Sequence, residues 1–211
     1  MAPAPFLLLA AALGGGLAEF QAAFPAASVI RSPSGGRLTS ASGFEAPGLG
    51  ATPEAAARAF LARHGAAFGV APRHELVLQT APAPGTPGSV RFERRIAGLP
   101  LFDGGLAVGV DARGAVFLVN ASDVPSRLTG RRRISERAAV RAAAAAIPGL
   151  VPGGPPRAAR GWRAFGGAVR PVWRVDLAAK APAGEWRSDV DAETGKVLFR
   201  TDLRQDGRRG G

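Results

Sequence analysis

Val108-Gly109-Val110-Asp111-Ala112-Arg113-Gly114-Ala115-Val116-Phe117-Leu118-Val119 reads as strand, tight turn, strand. Eighty positions on, Ser188-Asp189-Val190-Asp191-Ala192-Glu193-Thr194-Gly195-Lys196-Val197-Leu198-Phe199 reads the same way. An alanine-rich helical pattern precedes each hairpin, one starting near Thr52 and the other near Ser135, 83 positions apart. The nearly constant offset in both elements predicts two copies of one supersecondary plan. Asp111 and Asp191 stand where an aspartate caps its own turn, and Gly114 and Gly195 where a short hairpin loop needs positive φ.

Working outward, Thr52-Pro53-Glu54 announces a helix: a hydroxyl N-cap, proline at the first helical position, and an acid near the positive dipole end. Ala56, Phe60, Ala67 and Phe68 trace a stripe at helical spacing, and Gly69 ends it. A strand is expected over 75–80, then a Pro/Gly turn over 81–88. Val90, Phe92 and Ile96 alternate with charged residues as a half-buried antiparallel strand does. Gly98-Leu99-Pro100 is read as a break, and Asp103-Gly104-Gly105 as a turn before Leu106. Ser135 caps the second helix, whose buried face is expected at Val140, Ala143, Ala144 and Ile147, with Pro148-Gly149 as its stop. After a proline-rich loop, Trp173, Val175 and Leu177 share one strand face, and Trp186, Ser188 and Val190 another. Helix then meander, twice, predicts an α+β fold with a helix packed on an antiparallel sheet in each half.

The chain has 211 residues and no cysteine, which excludes disulfides, thiolate metal ligands and a cysteine nucleophile. Its net charge of +11 is unevenly placed. Residues 52–125 carry 7 basic and 6 acidic groups, whereas residues 126–211 carry 18 and 8. A field this lopsided predicts an acidic partner. The apolar run Phe6–Leu13 is too short to span a bilayer. With Gly16-Leu17-Ala18 after it, it fits a signal peptide over 1–18, although no Lys or Arg precedes it. Secretion or a periplasmic location follows from that reading, with no membrane association after signal removal. Residues 19–51 are Ala/Gly/Pro/Ser-rich without sustained period and are read as a flexible lead-in.

Thr52-Pro53-Glu54, Ala59-Phe60-Leu61, Phe68-Gly69 and the run Val90–Phe102 with Gly105-Leu106-Ala107-Val108 resemble a fungalysin/thermolysin propeptide domain. Phe92, Gly98, Pro100 and Gly105 carry that pattern. Ser135–Ile147, Trp173–Leu177, Trp186 and Val190-Asp191-Ala192-Glu193-Thr194-Gly195 resemble a PepSY domain. The resemblance implies two cystatin-like halves, 52–125 and 126–203, ordered as in the prosegment of secreted zinc metallopeptidases. Such prosegments act as intramolecular chaperone and inhibitor. It also implies that the C-terminal stretch, here Arg200, Asp202, Leu203, Arg204 and Asp206, lies near the partner's substrate cleft. The bland alternative for residues 204–211 is a disordered basic tail.

Nothing in the chain reads as catalytic. His74-Glu75-Leu76-Val77-Leu78 has leucine where a zinc helix needs its second histidine, and His64 and His74, ten positions apart, are the only two histidines. Both are expected as solvated surface residues. No Gly-x-Ser-x-Gly elbow surrounds a serine. Arg131-Arg132-Arg133 is read as a solvated linker, with a processing site or phosphate-binding patch as the alternative. No cofactor is expected. Three functional readings follow: a propeptide-like inhibitor or folding assistant acting on a zinc metallopeptidase catalytic domain; a truncated N-terminal fragment of such a precursor; or a basic polyanion binder. Trp162, Trp173 and Trp186 fit core and sheet positions better than a stacking platform, which speaks against specific nucleic-acid binding.

Overall fold

A computed structural model describes residues 15–33, 36–48 and 50–206. Most of the expected signal peptide lies outside the described residues, but Gly16-Leu17-Ala18 falls inside a helix, α1 (Gly15–Ala23). The fold is mixed, dominated by β-sheet with few helices. After α1 come β1 (Ser28–Arg31), β2 (Leu38–Ala46), α2 (Pro53–His64) and a 3-10 turn (Gly65–Phe68). Five strands follow: β3 (His74–Thr80), β4 (Gly88–Ile96), β5 (Leu99–Phe102), β6 (Leu106–Val110) and β7 (Val116–Ala121). Then come α3 (Glu136–Ala145) and five more strands: β8 (Val151–Pro152), β9 (Arg157–Phe165), β10 (Ala168–Ala181), β11 (Gly184–Asp191) and β12 (Val197–Asp202). A short α4 (Leu203–Asp206) closes the described chain. The order helix then five strands thus recurs.

The chain divides into two compact units, and neither is contiguous in sequence. The first holds the described residues up to Ala71 with Thr80–Val90 and Ala107–Ala121. The second holds Pro72–Gln79, Arg91–Leu106 and the described residues from Ser122 onward. The expected boundary at 125/126 therefore does not separate them, because stretches 72–79 and 91–106 group with the C-terminal residues.

In the first unit, β1, β2, β7 and β6 lie side by side, with β1–β2 and β2–β7 antiparallel. Here the flexible lead-in is corrected: residues 19–51 supply part of α1 and two strands. The physical reason is Phe20, Phe24 and Phe44, apolar anchors without sequence period that reach a common aromatic cluster. The Phe20 ring lies 5.1 Å from Phe24, 5.5 Å from Phe44 and 5.3 Å from Phe68, the last two edge to face. Phe44 stacks on Phe60 at 5.7 Å. Helix α2 begins as its sequence dictates: the Thr52 hydroxyl accepts from the Ala55 N–H at 3.1 Å, with Pro53 next. Its regular part stops at His64, and the stripe continues to Phe68 only by tightening into the 3-10 turn that Gly69 ends.

In the second unit the strand order is β4-β5-β9-β10-β11-β12, with β3 beside β4 and β8 beside β10. Strands β9, β10, β11 and β12 run antiparallel in sequence order, while β5 joins β9 in parallel. Helix α3 starts at Ser135, whose hydroxyl accepts from the Ala138 N–H at 3.3 Å. It buries Ala139 and Ala143, with Ile147 beyond, against Trp173, Val175, Leu177, Val190 and Ala192. Val140 and Ala144, expected in that buried face, are partly buried and pack against it. The proline-rich stretch expected as loop contains all of β9; its alternation of arginine with small residues hid a strand.

Both repeated hairpins form. The Asp111 N–H donates to the Ala115 carbonyl at 2.9 Å, and Asp111 Oδ1 accepts from the N–H groups of Arg113 and Ala115, each at 2.8 Å. In the second hairpin the Asp191 N–H donates to the Lys196 carbonyl at 2.8 Å, and Asp191 Oδ1 accepts from Glu193 and Thr194, each at 2.9 Å. Gly114 and Gly195 take φ +84 and +77, the left-handed conformation that these loops require. The loops differ by one residue, the extra Thr194.

Candidate functional site

The residues singled out by pattern are mostly architectural. Phe92 is buried in β4, and Gly98 with Ala97 makes the turn into β5, so the strand break lies one step earlier than Gly98-Leu99-Pro100. Pro100 sits within β5 opposite Arg95, and the Gly105 carbonyl accepts from the Ser122 N–H at 3.0 Å. Between Phe92 and Ile96, on the same face of the strand, the charged Arg94 is fully buried.

As far as Asp206, the C-terminal stretch is strand followed by one short helical turn. Arg200 and Asp202 belong to β12, paired to Ser188 and Trp186. The Arg200 guanidinium donates to the Ala146 carbonyl and lies 5.5 Å above the Trp186 ring. Asp202 Oδ1 accepts from the N–H of Glu185 at 3.3 Å and of Arg204 at 3.0 Å, which starts α4 through Leu203, Arg204 and Asp206. An acid at that position caps the turn and ties it to β11. Residues 207–211 lie outside the described residues.

The face of the second-unit sheet opposite α3 carries an ionic network that pattern reading missed. Arg174 stands directly across from Asp189, and Asp176 across from Arg187. Both pairs are bidentate: Arg174 Nε to Asp189 Oδ1 at 2.8 Å and Nη2 to Oδ2 at 2.9 Å; Arg187 Nε and Nη2 to Asp176 Oδ1 and Oδ2, each at 2.8 Å. Arg163 donates to Asp189 as well, and Asp103 Oδ2 accepts from Arg163 at 2.7 Å and Arg174 at 3.1 Å. Asp189 is 0% exposed and Asp103 60%, so one end of the quartet is sealed and the other meets water. Aromatic rings cover the guanidiniums: Arg174 lies 4.0 Å from the Phe102 centroid and Arg163 4.1 Å from that of Phe199. Burial works most strongly against the Arg174 charge, but the hydrogen bond and charge of Asp189, with Asp103, outweigh it and raise its pKa. For Arg187 the Asp176 hydrogen bond dominates, again upward. Gly161 is required beneath this face, because a Cβ there would lie 2.3 Å from the Phe102 ring. Such a cluster orders strands, and its carboxylates are engaged by guanidinium donors. The sequence signal was present: Arg174-x-Asp176 and Arg187-x-Asp189 are complementary when two strands run antiparallel.

The tryptophans are likewise occupied. Their indole N–H groups donate to the carbonyls of Ile96, Ile134 and Pro182 at 3.0, 3.2 and 3.5 Å for Trp162, Trp173 and Trp186. An arginine lies over each ring: Arg132, Arg160 and Arg200 respectively.

The histidines are not the solvated residues expected. His64 is buried, 5.1 Å from the Phe60 ring and 5.3 Å from Phe24. Burial, then the charge of Arg63, lowers its pKa against a smaller opposing effect of Glu19. His74, in β3, is lowered to about 4 by burial, then by Arg94 and Arg73. Between pH 6.5 and about 4 the unfolded chain therefore takes up protons that the folded chain refuses, so stability falls as pH is lowered through that window. Allowing for solvent screening, the loss attributable to His74 is about 1–2 kcal/mol. Urea unfolding at several pH values checks this: the wild-type slope should flatten in His74→Gln, and identical slopes would refute it.

Among the described residues, no group of three or more His, Asp or Glu side chains gathers as a metal site. No helix among them is long and apolar enough to cross a membrane. No protein-family model matches the chain, and no curated protein matches it. Among solved structures, the Bacillus megaterium YpeB C-terminal domain is similar at 14% identity and TM-score 0.34, over 84% of this chain and 82% of that one.

Proposed function

We propose that this chain is a non-catalytic, propeptide-like binding protein whose partner is the catalytic domain of a secreted zinc metallopeptidase, which it inhibits or helps to fold. The observation that carries the reading is the stretch 135–202. There a capped helix lies on an antiparallel meander, and the Asp191-Ala192-Glu193-Thr194-Gly195 turn closes its last hairpin, which supports reading the stretch as PepSY-like. Cystatin-like halves, two of them, are the finer form of this proposal. The contact would be the same whether the partner is a separate protein or a following domain of a larger precursor. The polyanion reading draws less support, since the indole faces that would stack on bases already carry guanidiniums.

Progress curves of a thermolysin-type peptidase test the proposal. Slow-onset inhibition by the folded protein is the expected outcome. Unchanged peptidase rates at micromolar folded protein, together with unchanged refolding yield of the denatured peptidase, would overturn it.

A further inference from the structure

Several arginines of the second unit are paired with acids, and others are not. Arg133, Arg163, Arg170, Arg174, Arg187 and Arg204 each lie at ion-pair distance from a carboxylate. Arg132 and Arg160 do not: among the described residues neither has a carboxylate partner. Yet both are held in place. The Arg132 guanidinium lies 5.0 Å from the Trp162 centroid, and its Nη2 donates to the Gly161 carbonyl at 3.4 Å. The Arg160 guanidinium lies 5.0 Å from the Trp173 centroid. Both rings are fixed by their hydrogen bonds to the Ile96 and Ile134 carbonyls. Arg160 and Trp162 alternate along β9, so they share one face of that strand.

The electrostatics are uncompensated. Burial, then the positive charge of Arg160, pulls the Arg132 pKa below its ordinary value. Two like charges held on rigid platforms repel one another in the free protein, and an anion shared between them removes that repulsion. Arg131, the exposed sequence neighbour of Arg132, and Arg137, exposed beside Glu136 in the first turn of α3, add positive charge to the same segment. Glu193 is already committed: its Oε1 pairs with Arg133 Nε at 3.1 Å, and its Oε2 accepts from the Arg131 N–H at 3.3 Å.

We propose that Arg132 and Arg160, seated on Trp162 and Trp173, anchor the carboxylates of an acidic segment on a partner protein. Guanidinium forks match carboxylates in bidentate fashion, and the ring contacts restrict the side chains before the ligand arrives. The further exposed arginines of segment 131–137 offer partners to additional carboxylates of such a segment. Nucleic acid fits less well, because the guanidiniums cover the indole faces on which bases would stack. The inference rests on reading the chain as a binding protein, but not on the partner being a peptidase.

Tryptophan fluorescence is the readout, with the full chain titrated by an all-glutamate hexapeptide at low ionic strength. R132Q/R160Q should weaken binding about tenfold or more. R31Q/R91Q, which removes the same charge from exposed arginines elsewhere, should change it by no more than about twofold. R132K/R160K, which keeps charge and loses the fork, should fall between them. Equal losses in the two glutamine pairs would reduce the effect to net charge and overturn the site, as would absence of binding. Inorganic phosphate or a single-stranded oligonucleotide binding as tightly as the peptide would also overturn it. If the peptide binds as expected and peptidase inhibition fails, the site stands and the peptidase reading falls.

Discussion

Replacing Asp189 with alanine should lower the unfolding free energy by about 3–5 kcal/mol, measured by urea denaturation followed through the tryptophans. The Arg163 and Arg174 side chains are 15% and 14% exposed, and Asp189 is the fully enclosed acid between them. Without it, both guanidiniums remain confined beneath Phe199 and Phe102, with only the solvent-exposed Asp103 to balance them. Uncompensated buried charge is what makes the loss of one partner so costly. Asp103→Asn makes the comparison quantitative. Its carboxylate contacts the same two arginines, but in water, so its loss should cost no more than about 1 kcal/mol. An Asp189→Ala protein within 1 kcal/mol of wild type, on the scale of an exposed pair, would show that the network contributes register rather than stability.

Phe20→Ala should be similarly severe, at about 3–5 kcal/mol, because a fully buried ring is removed from a cluster that has no replacement for it. Phe20 contacts Phe24, Phe44, His64 and Phe68, so its cavity would open against α1, β2, α2 and the 3-10 turn together. An Ile30→Ala substitution in the same N-terminal stretch gives the internal standard. Ile30 is 63% exposed on β1, and its truncation should change stability by no more than about 0.5 kcal/mol. Were the stretch a flexible lead-in, the two substitutions would be equally silent.

These two experiments fall where pattern reading was weakest, and the reason is shared. A buried ring or charge leaves a local signature only when it recurs at the period of its element. Phe60 recurs with Ala56 at helical spacing, so α2 was legible; Phe20, Phe24 and Phe44 converge from a helix, a loop and a strand and share no period. Asp189 occupies an outward-pointing position by the alternation of Trp186, Ser188 and Val190, and alternation alone assigns it to solvent. It is enclosed because β9 and the β5–β6 turn bring Arg163, Phe102 and Asp103 over the sheet.

Local chemistry alone determined the parts of this protein that are stabilised within a few residues. Caps at Thr52 and Ser135, the stop at Gly69, and turns at Asp111–Gly114 and Asp191–Gly195 follow from hydrogen bonds and φ preferences that neighbouring residues satisfy. Only the tertiary structure decided which strands became neighbours, and with that the grouping of residues 72–79 and 91–106 with the C-terminal half, the burial of His64 and Asp189, and the seating of Arg132 and Arg160 on their indoles. Strand pairing over sixty or more residues is set by shape and charge complementarity between distant surfaces, which leaves no periodic mark on either partner.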